Sequence, residues 1–435
     1  MKADDFARGA VSGSAAATGL HLGLIIVGGT IGFAVFVISS QIGGALGYAE
    51  AGLAFAIGSL ILGFMGAVTS YVGAKSRLST YLLTEFAFGP TGAKVANLVV
   101  ALSLVGWFGV ICNTLGLATQ EMLQESWNID VPPPVVITAA SALMISVTAA
   151  GFTGIDRLAL FLTPFMALLI GYAAFLALRA DGSEPLAVEQ AFTFQTAVSA
   201  VVGTYIVGVI IQPDYSRFAV NVRHAVWSVF IALALFFPLV QFFSAVPSMA
   251  TGEPSVVLVM SGLGIILPAF FLLFLGAWSS NVLCLYSSSL SVATLMERAR
   301  LSHIIIAIGV AGTALAYVMV QEAIVDYLVL LGITIPPIGA IYIVEAIFVR
   351  RFRMELDGLD GEPPFNFRAF GAWFGAIAVG YCSDRDLMGI VGIASIDSPI
   401  VACALYTAFQ WRRGLQINGR SLLPEGQHRD AQPPG

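Results

Sequence analysis

Charge is scarce in this chain. Asp, Glu, Lys and Arg together make up 11% of its 435 residues, while hydrophobic residues make up 58%. Ordinary soluble domains carry about 25% charged residues. A globule of this length cannot bury so much apolar surface behind so thin a charged exterior, which excludes a soluble enzyme. A basic face is missing too: 20 Lys and Arg stand against 26 Asp and Glu, a net charge of −6, so a nucleic-acid partner is excluded. Cysteine is equally sparse. Cys112, Cys284, Cys382 and Cys403 sit singly in apolar runs without C-x-x-C spacing, which suits small buried hydrophobes rather than a disulfide framework or metal centre. His21, His224, His303 and His428 are just as scattered. No small-residue cleavage site follows the first apolar run, which is long and Gly-rich and reads as a membrane segment rather than a signal peptide. What the chain has in abundance is long apolar runs, so it reads as an all-α polytopic membrane protein.

A bilayer core takes about 20 mainly apolar residues per helix. Twelve segments qualify, numbered here in chain order: 17–43, 50–74, 92–123, 133–153, 158–179, 193–212, 222–247, 263–296, 302–320, 324–349, 369–383 and 391–411. Basic residues test the count, because they concentrate in cytoplasmic connections. With a cytoplasmic N-terminus, Lys75, Arg77, Lys94, Arg157, Arg217, Arg223, Arg298, Arg300, Arg350, Arg351, Arg353 and Arg368 all follow even-numbered segments. Lys2, Arg8, Arg412, Arg413, Arg420 and Arg429 lie in the two termini. Only Arg179 and Arg385 of the 20 fall outside. Twelve helices with both ends cytoplasmic, in a cytoplasmic (inner) membrane, follow. The connection 350–368 is the longest hydrophilic one and too short for a domain, and residues 412–435 read as a polar, disordered cytoplasmic tail behind a short N-terminal segment, 1–16.

Glycine placement points to breaks. Segment 1 carries Gly28-Gly29-Thr30-Ile31-Gly32 in its middle, and segment 6 carries Gly203-Thr204-Tyr205 and Gly208. Close helix packing accounts for any single glycine. Segments 1 and 6, however, each open a group of five, and an odd group size inserts the second five upside down. Paired interrupted segments at matching places in two halves mark the binding site of a secondary transporter, where unwound carbonyls face a cation and helix N-termini face a polar solute. The units so defined are 17–180 and 190–350, followed by two further helices over 369–411.

Few polar residues remain inside. Segment 8 carries Gly276-Ala277-Trp278-Ser279-Ser280-Asn281. The two hydroxyls either bond the preceding turn or, beside a partner helix, join the Gly276 carbonyl and two freed carbonyls of segment 1 in a five-oxygen cation site. Trp107, about fifteen residues into segment 3, lies too deep for an interfacial belt; its indole face suits stacking on a flat heterocycle. Asn113 reads either as interhelical glue or as a solute contact. Thr204 and Tyr205 offer hydroxyls beside the suspected break. Acidic residues are nearly absent from the membrane centre, Glu345 lying only five residues before Arg350. Proton-coupled carriers keep Asp, Glu or His in mid-membrane, so the pattern favours Na⁺ as coupling ion, no organic cofactor, and a neutral solute. Proton coupling, an amino acid or a vitamin precursor as solute, or a non-transporting channel or sensor are the alternatives. Lack of a carboxylate, Cys/His or Ser–His constellation speaks against an intramembrane enzyme.

These residues resemble the nucleobase–cation symporter family, bacterial cytosine permeases in particular. The resemblance rests on the stretch 41–89 (QIGGALGYAEAG…TEFAFG), on Leu104-Val105-Gly106-Trp107-Phe108-Gly109-Val110, on Pro213-Asp214-Tyr215-Ser216-Arg217-Phe218, and on Trp278-Ser279-Ser280-Asn281 with Leu285-Tyr286-Ser287. It covers about residues 15–350. It implies a leucine-transporter-type 5+5 inverted repeat plus two C-terminal helices, and Na⁺-driven import by alternating access in a monomer. By position, Na⁺ falls on the Gly28, Ile31 and Gly276 carbonyls and the Ser279 and Ser280 hydroxyls. The substrate falls beside Trp107, Phe108, Gly32, Phe33, Gly203, Thr204, Tyr205, Asn113 and Asn281. Where the cytosine permeases show Asp-Asn-Asn, this chain has Val282, Leu283 and Cys284; Leu104 replaces a polar side chain and Gly32 an aromatic one. A base left without amide partners loses about 1–3 kcal/mol per unsatisfied group, so the changed lining points to a heterocycle less polar than cytosine.

Overall fold

A computed structural model describes residues 17–150, 155–179, 193–253, 256–293, 299–318 and 324–420. The expectations for 1–16, for the segment 5–6 connection over 180–192 and for 421–435 lie outside the described residues. Within them the protein is all-helical, the one strand-like feature being a parallel bridge between Ala17 and Ala219. Helices satisfy every backbone group within the segment, which is what a lipid-exposed chain requires. A helix occupies each of the twelve apolar segments, and among the described residues six helices are long and apolar enough to cross a membrane by length and composition.

Segment 1 is discontinuous, as its glycines suggested. A first helix, Gly19–Thr30, starts on Thr18, whose side chain accepts the His21 amide. Its end is marked by Ile31 at φ −86°, ψ 82° and Gly32 at φ −131°, ψ 155°, after which Phe33–Ser76 continues. That second helix carries the rest of segment 1 and all of segment 2 across a kink at Gly47, φ 73°, a backbone conformation that glycine alone adopts without strain.

Segment 6 corrects the expectation. Helix Phe194–Ile210 runs unbroken through Gly203, Thr204 and Tyr205. Gly203 is there because the Leu328 carbonyl of segment 10 occupies the space of a Cβ; close packing is what the residue does. The chain turns only at Ile211 and Gln212, before the short helix Pro213–Ser216.

Proline explains two further irregularities. In segment 7 a π-helical turn, Ala232–Phe236, joins Val222–Ile231 to Phe237–Thr251, just ahead of Pro238, which cannot donate to the ladder. Segment 10 divides into Ile324–Thr334 and Pro336–Val344 at Pro336-Pro337. Segment 12 forms Ala394–Arg420, so residues 412–420, read from the sequence as tail, extend an anchored helix instead; propagation onto an existing helix needs no new nucleus.

Segments 1, 2, 6 and 7 pack on one another, and segments 3, 4, 8 and 9 likewise, with segment 5 between the groups, segment 10 against segment 6, and 11 and 12 paired beside segment 10. The Pro213–Phe218 motif forms a corner clamp: Asp214 Oδ1 accepts the Thr80 amide at 2.8 Å, and Arg77 Nη1 donates to the Arg217 and Ala219 carbonyls, both at 2.7 Å. At the end of segment 10, Arg350 bonds Glu345 and Glu362, each at 2.7 Å, while Tyr406 of segment 12 donates to Glu345 at 2.8 Å.

Candidate functional site

The break in segment 1 stops the helical ladder with the Ile31 amide, which still donates to the Val27 carbonyl, so the carbonyls of Gly28, Gly29, Thr30 and Ile31 lose their i+4 amide partners. Segment 8, helix Ile266–Ala293, runs past this point. The Ile31 carbonyl lies 3.7 Å from where a Cβ on Gly276 would stand, and Ser280 Oγ lies 3.3 Å from the corresponding point on Gly32. Ile31, Gly276 and Ser280 therefore meet at the break. Gly28 is one turn earlier on the same half-helix, half-buried, and Ser279 is buried beside Ser280. The Gly276 carbonyl keeps its helical bond yet has a second lone pair. Neutral oxygens are what a hard monovalent cation takes. Among the described residues no cluster of three His, Cys, Asp or Glu side chains forms a metal site.

An aromatic pair links segments 3 and 10. Trp107 is buried and meets Tyr327 of segment 10 edge-on, ring centroids 6.1 Å apart at 73°. Tyr327 donates its hydroxyl to the Ser103 carbonyl at 2.6 Å. On the segment 6 side, the Tyr205 hydroxyl lies 3.4 Å from the Cβ point of Gly29, and its ring lies over Gly208. Cys284 lies one turn beyond Ser280 on the same helix face and is only partly covered. Thr204 bonds its own helix at Val201. The Phe33 side chain lies outside the described residues.

Three residues expected at the solute make packing contacts, although Asn113 Oδ1 and Asn281 Oδ1 accept no hydrogen bond. Phe108 lays its ring on Gly312 of segment 9. Asn113 donates to the Ala316 carbonyl at 2.9 Å. Asn281, fully buried, donates to the Phe108 carbonyl at 3.3 Å and lies against Cys112 Sγ and Met144 Sδ of segments 3 and 4. These contacts run to segments 3, 4 and 9, a distinction that residue type does not reveal. Tyr327 and Met166 were not singled out from the sequence: aromatic and thioether side chains in apolar segments look like any other packing residue. Gly276 was singled out for its carbonyl, but its contact with Met166 has no sequence signal.

Residues 21–396 match the family described as permeases for cytosine/purines, uracil, thiamine and allantoin. The chain belongs to this permease family. The permease is 30% identical over 399 residues to the cytosine permeases of Escherichia coli O157:H7 and of strain K12, the match covering 90% of this chain and 92% of each relative. Its fold is shared with Mhp1, a nucleobase-cation-symport-1 family transporter, in a closed conformation with bromovinylhydantoin bound: TM-score 0.80 at 18% identity, over 94% of this chain and 96% of that one. The inward-facing conformation of Mhp1 gives 0.78 at 19% identity, over 97% and 99%. A Na⁺-coupled sialic acid symporter, substrate-bound and outward-open, gives 0.63 at 16% identity, over 93% and 91%. The permease is thus a multi-pass membrane transporter and not an enzyme.

Proposed function

We propose that the permease imports a flat, neutral heterocycle less polar than cytosine, driven by Na⁺ through alternating access, in a twelve-helix arrangement of two inverted five-helix units plus two. Both termini are cytoplasmic in this reading, on the strength of the basic-residue segregation. The observation that carries it is the meeting of the segment 1 break with Gly276 and Ser280. Ion and solute then share one break, so occupancy by either organises the backbone that the other needs. Na⁺ is bound by the Gly28, Ile31 and Gly276 carbonyls and the Ser279 and Ser280 hydroxyls, and the solute stacks on Trp107 between Tyr205 and Gly32. Cys284 and Leu283, in place of the amides of cytosine permeases, leave a pocket poor in hydrogen-bond partners. The likeness to Mhp1 supports the repeat and the alternating-access mechanism.

The test is a thermal-stability screen of the purified permease against nucleobases, hydantoins and pyrimidine vitamin precursors, with and without Na⁺. Ligands that bind only the folded state raise its stability by RT ln(1 + [L]/Kd). Heterocycle stabilisation that deepens with Na⁺ is the expected result; none from any member of the panel at any Na⁺ concentration overturns the reading.

A further inference from the structure

Gly276 has a second neighbour besides the Ile31 carbonyl. The Met166 thioether of segment 5 reaches the same point: Sδ lies 3.1 Å from where a Cβ on Gly276 would stand, and the terminal methyl overlaps it. Met166 is 4% exposed, whereas Phe165 and Leu168 beside it are 46% and 71% exposed, so this one side chain of the turn is directed into the bundle. Segments 1, 5 and 8 therefore converge on one glycine, with a peptide oxygen on one side and a sulfur-bearing apolar chain on the other.

We propose that Met166 is the stopper of the cation site, a positioning residue that keeps water off the ion held by Ile31, Gly276 and Ser280; this rests on the sodium reading above. A thioether is a soft ligand that a hard alkali cation does not seek, so its contribution is exclusion rather than coordination. With water excluded, the few neutral dipoles around the ion act at lower effective dielectric and hold it more strongly. An unbranched chain with three rotatable bonds is the side chain best able to fill such a gap and to swing out of it. Pro164, two residues earlier inside helix Ile155–Ala177, removes a ladder bond next to the stopper and lets that stretch yield locally. Glycine at 276 is the counterpart: any larger residue there displaces the plug.

The experiment uses the full chain in liposomes, with Met166→Ala and Met166→Leu. Met166→Ala is expected to raise the Na⁺ concentration for half-maximal uptake about five- to tenfold and to increase ²²Na⁺ leak without solute, as water reaches the ion. Solute affinity at saturating Na⁺ stays unchanged, and Met166→Leu, similar in volume but lacking sulfur, restores the parent behaviour. Unchanged Na⁺ dependence and leak in Met166→Ala overturn the proposal, as does a Met166→Leu protein as impaired as the alanine variant. A lowered unfolding temperature with the Na⁺-induced rise intact marks a packing role only, and also overturns it. Ser279→Ala and Ser280→Ala separate the two readings: if both leave Na⁺ dependence untouched, the sodium site itself is wrong; if they shift it and Met166→Ala does not, only the stopper is.

Discussion

The carbonyl of Leu328 stands where a Cβ on Gly203 would have to go, so segments 6 and 10 touch backbone to backbone at that point. Gly203→Ala forces the helices apart or strains them, at about 1–3 kcal/mol, as overpacking does elsewhere. A lower unfolding temperature in detergent, with the Na⁺ dependence of uptake unchanged, is the expected outcome. A stable Gly203→Ala protein with altered solute affinity would instead place Gly203 at the substrate.

The two hydroxyls of segment 8 are tested one at a time. A hydrogen-bond-like contact to a charged group is worth about 1.5–3 kcal/mol, and each 1.4 kcal/mol is tenfold in affinity. Ser279→Ala and Ser280→Ala should each raise the Na⁺ concentration for half-maximal transport by about tenfold or more. Uptake titrated against Na⁺ in proteoliposomes checks this, and two unchanged curves remove the cation site.

Stacking predicts a different pattern for Trp107. Loss of an aromatic platform beneath a heterocyclic base costs about 1–3 kcal/mol, so Trp107→Ala weakens solute binding roughly tenfold. Na⁺ binding to the solute-free protein changes far less. Trp107→Phe keeps part of the platform and falls between the two. Equal solute affinity in all three proteins, measured by isothermal titration, excludes the stacking role.

Asp397 was not distinguished by the sequence, yet it organises the turn between segments 11 and 12. Its fully buried carboxylate accepts the Ser383 hydroxyl at 2.7 Å and the amides of Ile390, Val391 and Gly392 at 3.1, 2.9 and 3.2 Å. Asp397→Asn replaces one acceptor oxygen by a donor and leaves backbone amides unpaired, at about 1–3 kcal/mol. Faster hydrogen exchange at residues 390–392, with transport retained, is the expected signature. Unchanged exchange there shows the turn to be held by other contacts.

The positions of the helices were largely legible in the sequence. The twelve apolar segments each hold a helix, and the break in segment 1 falls inside the run Gly28–Gly32, where the glycine spacing placed it. The matching break in segment 6 was not there, because Gly203 has two uses that look identical in sequence: it can interrupt a helix or admit a neighbour's carbonyl. Asn113 and Asn281 show the same ambiguity. An amide in an apolar segment needs a partner, but only the helix face it occupies tells whether that partner is a solute or Ala316 and Phe108.

Composition and spacing alone determined that the chain lives in a membrane and which stretches are helical, since lipid leaves a backbone no other way to satisfy its polar groups. Which residues share the site was decided by tertiary structure. Met166, Gly276 and Ile31 are far apart along the chain, and only the packing of segments 1, 5 and 8 brings a thioether, a bare Cα and a freed carbonyl to one point.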